Sequence, residues 1–351
     1  MRRKYLIGII LLLLLLITAC SNDEDEKTSQ DLVPKEIEQE ELPESEPEVV
    51  KPQYIYPLTG EPIFEPSMNR IVSVMVNNHP AARPQSGLSQ ADLVFEILAE
   101  GQTTRFMALF QSEAPTVVGP VRSARPYYFN LANDYGALYV YHGAANFIEE
   151  MLKSGAADHL NGAYYDNDGH LFNREAFRKA PHNSYVTFAS VPEVAQTKGY
   201  SMETEHHPLT FLDEEELDEI TGDSVRGISF NYGQDNVRYL YDEAKEVYTR
   251  YNGEQQTVEL NDQTPIELSN VFVIETAHQV VDNAGRREID LASGGNAYLL
   301  QKGKLQRIQW QNRDGYLTPV QDGQVVPFVP GKTWINVIPT SPGLAGVTEI
   351  E

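Results

Sequence analysis

Ile71-Val72-Ser73-Val74-Met75-Val76-Asn77-Asn78-His79-Pro80 is an almost unbroken apolar run closed by a polar turn, the pattern of a buried strand. Downstream of it, Asp92-Leu93-Val94-Phe95-Glu96-Ile97-Leu98 alternates and reads as a second strand. Arg105-Phe106-Met107-Ala108-Leu109-Phe110 reads as a third. Helical spacing runs from Arg125 to Tyr135. Ala137-Leu138-Tyr139-Val140-Tyr141 is then a strand, stopped by His142-Gly143. A helix is expected over Asn146 to Lys153 and a strand over Ser184 to Phe188. Ser190-Val191-Pro192-Glu193 fits a capping box with proline inside the first turn, so a helix should run to about Lys198.

Residues 203–223 break this texture. Leu212-Asp213-Glu214-Glu215-Glu216-Leu217 is acidic and suits a short surface helix that stops near Gly222. Beyond it short strands follow one another: Ile228 to Tyr232, Val237 to Tyr241, Glu246 to Tyr251, Val271 to Thr276, Ala297 to Gln301, Leu305 to Trp310 and Thr333 to Ile338. Asn252-Gly253, Gly294-Gly295 and Asp322-Gly323 separate several of them. The expected fold class is α+β, a mixed α/β half over residues 56–220 followed by a β-rich domain over 221–351.

The start of the chain gives an address. Arg2, Arg3 and Lys4 precede an apolar run from Tyr5 to Ile17, too short for a span of about 20 residues. Ile17-Thr18-Ala19-Cys20 fits a lipobox, so residues 1–19 read as a signal peptide and Cys20 as the lipidation site. An uncleaved anchor is the alternative, and either reading puts the rest outside the cytoplasmic membrane. Cys20 is the only cysteine, which excludes internal disulfides and thiol chemistry in the folded part. Ser21 to Val50 holds twelve acidic residues against Lys27 and Lys35, so residues 20–55 are expected to form a disordered acidic tether, either a spacer or a solubilising leader. The whole chain carries −24. Removing +3 for residues 2–4 and −10 for residues 21–50 leaves −17 on residues 51–351. That balance argues against nucleic acid as a partner and against binding acidic lipid head groups directly.

The polar signal concentrates in loops at expected strand ends. Asn77 to Gly87, Glu100 to Arg105, Gly119 to Pro126, His142 to Asn146 and Arg174 to Tyr185 carry Arg83, Arg105, Arg122, Arg125, His142, His182 and Asn183. Arginine offers a planar fork for carboxylate or phosphate, so these residues are ligand-binding candidates. Internal pairing with Glu96, Glu100 or Asp134 is the competing account. A strand-end histidine can act as a base near neutral pH or simply hydrogen-bond its own turn. Ser86 and Ser123 lack a nucleophile elbow. His206-His207 lacks zinc spacing, and Asp166-Asn167-Asp168-Gly169 begins but does not continue a calcium loop. No metal and no cofactor is expected. Alternating tyrosines at 239–241 and 248–251 suit a glycan surface or cross-strand packing.

Together, Asn78-His79-Pro80, Arg83-Pro84-Gln85-Ser86-Gly87-Leu88, Thr104-Arg105-Phe106, Gly119-Pro120-Val121-Arg122-Ser123-Ala124-Arg125 and Pro181-His182-Asn183 resemble the YerB-like lipoprotein family of Gram-positive bacteria. Tyr241-Asp242, Tyr248-Thr249-Arg250 and Gly331-Lys332-Thr333-Trp334 are similar to its C-terminal pattern. The resemblance covers roughly residues 58–340 and implies an exported lipoprotein with two family-defined segments of unknown function. It brings no catalytic assignment. Two functions are therefore expected to compete: a module that binds a cell-wall component or envelope protein, and an envelope hydrolase or transferase acting on an anionic glycan or phosphodiester.

Overall fold

The computed structural model describes residues 51–233 and 236–351. The expected signal peptide, Cys20 and the tether up to residue 50 lie outside the described residues. Tyr54–Ile55, at the expected end of the tether, pair with Pro62–Ile63 as a short hairpin instead.

In the first half the main elements are β1 (Val72–Asn77), β2 (Leu93–Leu98), β3 (Thr104–Phe110), α1 (Pro126–Asp134), β4 (Leu138–Tyr141), α2 (Asn146–Lys153), β5 (His159–Asn161), β6 (Phe172–Arg174), β7 (Ser184–Thr187) and α3 (Val191–Thr197). The second half supplies β8 (Gly227–Asn231), β9 (Asn236–Asp242), β10 (Val247–Asn252), β11 (Asn270–Thr276), β12 (His278–Val280), β13 (Arg287–Ile289), β14 (Gly295–Gln301), β15 (Lys304–Arg313), β16 (Tyr316–Gln321) and β17 (Thr333–Pro339). Most expected elements are present within a residue or two. Ser190 makes no side-chain cap. The acidic segment is a 3-10 turn over Glu214–Glu219, and there Asp213 and Glu216 close a capping box.

The halves do not fold as neighbours on a string. One twelve-stranded sheet runs β16-β15-β14-β11-β17-β2-β3-β1-β4-β5, with Gln324–Val325 beyond β16 and Asp223–Ser224 against β15. Its central seam joins β17 to β2 in parallel, Thr333 opposite Leu93 through Val337 opposite Ile97. The described residues, 51–233 and 236–351, accordingly belong to one compact unit.

Burial explains why β2 is buried along its whole length although its sequence alternates. One face of the sheet packs on α1 and α2 through Met75, Phe95 and Met107. The other packs on a second sheet, built around β8, β9 and β10, through Val74, Val94 and Phe106. Each such side chain removed fully from water contributes roughly 1.5–3 kcal/mol.

Between these layers lies a buried ion pair. Glu96 on β2 and Arg250 on β10 are both 0% exposed and 2.9 Å apart. Trp334 Nε1 and Thr104 Oγ1 donate to the same carboxylate at 3.0 and 2.9 Å. The Arg250 guanidinium also faces the Phe106 and Trp334 rings at 5.1 and 5.0 Å.

The strand directions set up the functional edge. β1, β2, β4, β5, β11 and β17 all run the same way, so their carboxyl ends share one rim of the sheet. Open sheets of this kind build ligand sites at that rim, because the loops there converge on backbone already held rigid.

Candidate functional site

The loop over Gly119–Arg125 crosses this rim and is stitched to three strands. Asn77 N donates to Pro120 O at 2.8 Å and Arg122 N to Met75 O at 2.8 Å. Val121 N donates to Ser184 O at 2.7 Å, and His142 N to Arg122 O at 3.0 Å. Gly119 permits the approach: a Cβ there would stand 2.8 Å from Tyr185 Cδ1 and 3.0 Å from Ser184 O. Gly162, after β5, likewise leaves room for the His142 ring, whose Nδ1 would lie 2.9 Å from a Cβ.

The seven candidate residues separate into three groups. Arg83 and Asn183 brace loops. Arg83 Nε donates to the backbone and side-chain oxygens of Asn78, both at 3.0 Å. Asn78 in turn donates to Thr104 Oγ1 at 2.7 Å, tying the loop to the Glu96 cluster. Asn183 Oδ1 accepts from Arg174 at 2.9 Å. Arg105 and Arg125 form the second group, sharing the carboxylate of Glu100. Arg105 also donates to Ser123 O at 2.7 Å.

Arg122, His142 and His182 are the third group. The Arg122 guanidinium is half-buried and makes no hydrogen bond or ion pair among the described residues, alone among the four arginines singled out in the sequence. Burial, followed by the nearby Arg105 charge, lowers its pKa to about 10, so it remains a cation at neutral pH. Arg122 also helps to hold both histidines below the ordinary imidazole range, with burial as the main cause in each. They are therefore mostly neutral at pH 7.

Hydrogen bonds decide which nitrogens are free. His79 N donates to Asn77 Oδ1 at 3.0 Å, which fixes the Asn77 amide and turns its NH₂ toward His182 Nδ1 at 2.8 Å. The neutral His182 ring therefore accepts at Nδ1 and carries its hydrogen on Nε2. It stacks on His79 with ring centroids 4.6 Å apart. His142 Nδ1 contacts Ser184 Oγ at 2.7 Å, and Arg174, a donor only, faces Nε2 at 3.5 Å. Arg174 is itself neutralised by Asp166 at 2.7 Å. Among the described residues the cluster thus presents one uncompensated cation, Arg122, together with the His182 Nε2–H donor, an arrangement complementary to an anion.

Arg174, Arg178, Asp166, Asn77 and His79 complete the arrangement around the expected residues. Arg178 donates to Ala82 O at 2.6 Å and to the Tyr185 hydroxyl at 2.8 Å, joining the loop after β1 to the one before β7. The signal in the sequence for Arg174, Arg178, Asn77 and His79 is membership of the same polar loops, whereas Asp166 belongs to the segment that only begins a calcium loop. Asp166-Asn167-Asp168-Gly169 is turn chemistry: Asp168 Oδ1 accepts from the amides of His170, Leu171 and Phe172 at 2.9, 2.9 and 3.0 Å. The alternating tyrosines are packing, since Tyr239 and Tyr248 are fully buried and Tyr241 packs across strands on Tyr248 at 5.0 Å.

The fold is therefore a sheet-centred domain with a polar loop cluster at one rim. The chain belongs to the family described as protein of unknown function (DUF3048), matching its N-terminal domain over residues 58–201 and its C-terminal domain over 228–335. It is 44% identical over 288 residues to "Putative lipoprotein YerB" of Bacillus subtilis (strain 168), covering 81% of this chain and 86% of that protein. A crystal structure of YerB protein from Bacillus subtilis superposes with a TM-score of 0.78 at 42% identity, covering 85% of this chain and all of that one. The two family segments meet across residues 202–227, yet strands from both lie in the one main sheet.

Proposed function

We propose that this protein is a lipid-anchored module on the outer face of the cytoplasmic membrane that binds an anionic group of a cell-wall component at Arg122. The observation that carries the reading is the half-buried Arg122 guanidinium without a counter-ion among the described residues, in a domain of net negative charge. Holding a cation partly out of water without a partner is costly, and a bound anion offsets that cost. His142 and His182 flank the position and would gain protons beside the anion. The lipobox at Ile17-Thr18-Ala19-Cys20 and the likeness to a protein named as a lipoprotein support the location.

The catalytic alternative has weaker support. Ser184 and Asp166 flank His142 in a Ser–His–Asp order, but Ser184 is only 2% exposed and Asp166 lies 4.0 Å from Nε2, beyond hydrogen-bonding range. His182 uses its lone pair on Asn77. Neither ring offers a free basic nitrogen.

The test is retention of residues 51–351 on purified cell walls, with and without wall teichoic acid, at low salt. Retention is expected on the anionic wall only, released by salt and lost in Arg122→Ala. Equal retention of Arg122→Ala, or none on either wall, would remove this reading and leave an envelope protein as the partner.

A further inference from the structure

His79 stands at the Arg122 rim, in the turn after β1, and wall binding as described so far gives it no part. It is exposed, and its ring lies on that of His182 with centroids 4.6 Å apart and planes 27° apart. Its Nδ1 accepts from Ala81 N at 3.1 Å, so the hydrogen of the neutral ring is on Nε2. His182 is fixed in the same way, with Asn77 donating to its Nδ1 at 2.8 Å. Both bonded edges face residues 77–81, so both Nε2–H groups point away from that turn. Neither has an acceptor among the described residues. The unpartnered nitrogens of His182 and Arg122 keep solvent exposure, so a ligand can reach them.

What the position lacks is an acceptor. The lone pairs of His79 and His182 are engaged by Ala81 N and Asn77 Nδ2, and the two nitrogens of His142 face Ser184 Oγ and Arg174. Asn183 Oδ1 already accepts from Arg174. A guanidinium only donates. A ligand bearing an O–H would leave that hydrogen unanswered, whereas an oxyanion without a proton meets every donor with a lone pair. Arg178 adds a charge of the same sign within reach of His182, while its own donors are engaged by Ala82 O, Pro84 O and the Tyr185 hydroxyl.

The donors also lie at two heights, because stacking holds the two imidazoles one above the other. A carboxylate keeps its acceptor lone pairs in one plane. The oxygens of a tetrahedral phosphate group do not share a plane, and a phosphodiester carries no proton near neutral pH. Resting on the anion site at Arg122, we infer that His79 is a further ligand-contacting residue and that the anion bound there is a phosphodiester. Arg122 takes one oxygen, and the Nε2–H groups of His79 and His182 take the side facing the stack. Both a wall polymer and a phospholipid head group contain this group.

The test titrates diethyl phosphate into residues 51–351 carrying ¹⁵N-labelled histidine, at pH 7.5. The Nε2 resonances of His79 and His182 should both shift and saturate, with a Kd on the order of 10 mM. His79→Phe keeps a ring on His182 without an N–H and should weaken binding about tenfold, the effect of one hydrogen bond to a charged group. His79→Asn keeps an acceptor for Ala81 N and should weaken it equally, which separates ligand contact from support of the turn. Acetate should bind the parent several-fold more weakly than diethyl phosphate, and that preference should shrink in His79→Phe. Wall teichoic acid and phosphatidylglycerol vesicles, matched in phosphate, distinguish the two sources, and displacement of diethyl phosphate by the wall polymer is expected. Displacement by neither, acetate binding as tightly as diethyl phosphate, or an unchanged Kd in both His79 variants would overturn the assignment. Arg122→Ala should abolish binding of both anions. If it does so while the His79 variants bind normally, the anion site stands and only the phosphodiester assignment falls.

Discussion

Arg250 and Arg122 are the same side chain put to opposite uses. Arg250 sits at zero exposure between two aromatic rings and holds a carboxylate that Trp334 and Thr104 also serve. Its hydrogen-bonding capacity is spent inside the protein, and its role ends with joining β10 to β2. Arg122 sits half in water at the strand ends, with the charges around it of like sign or neutral and no carboxylate assigned to it. A buried ion pair adds little over a well-packed apolar core but is expensive to break. A cation left uncompensated at a rim has its interaction still to make. Satisfaction of the charge, more than its burial, separates the arginine of the fold from the arginine of the site.

Breaking the first member of this pair should have the largest effect. Arg250→Met leaves Glu96 charged in the core and is expected to cost about 3–5 kcal/mol, read as a lower denaturant midpoint at unchanged slope. Adding Glu96→Leu should recover most of that loss. If the single variant is as stable as the parent, the pair is not the lock described here.

A smaller effect concerns acid. Burial holds His142, His182 and His278 below the ordinary imidazole value, the last at about 4. The unfolded chain takes up these protons near pH 6.5 while the folded chain does not. Their contribution to stability is therefore complete above about pH 6.5 and is lost as pH falls toward 4. An anion at Arg122 should raise His142 and His182, so wall binding should tighten from pH 7.5 to 5.5. Arg122→Ala should also raise both, since it removes a like charge. An NMR titration in which neither ring moves in that variant would separate the histidines from Arg122.

The smallest expected effect is that of Arg122→Ala on stability, within about 0.5 kcal/mol by denaturant unfolding. A loss of several kcal/mol would mean that Arg122 is a structural residue after all, and the contrast with Arg250 would disappear.

Much of the local structure was legible in the chain. The runs at 71–76, 105–110 and 333–338 are strands because apolar continuity leaves a buried strand few alternatives. Asn146 to Lys153 is a helix over the expected residues. Ser190 shows the limit of such patterns, since a capping residue forms its bond when its own backbone is extended, and that of Ser190 is helical. Of the candidate arginines, Arg105 and Arg125 pair with Glu100 as the internal account allowed, whereas Glu96 turned to Arg250, 154 residues away. No local pattern encodes that choice.

What the sequence alone determined is what depends on neighbours in the chain: the strands, the helices, the polar loops and the lipobox that marks Cys20. Which loops share the Arg122 rim depended on β1 and β4 pairing in parallel and on the Gly119–Arg125 loop being bonded to both and to β7. The joining of the two halves in one sheet depended on β17 entering beside β2. That pairing brings residues 333–337 against 93–97. It was decided by the burial of two apolar faces at once, a free energy that exists only when the whole sheet is assembled.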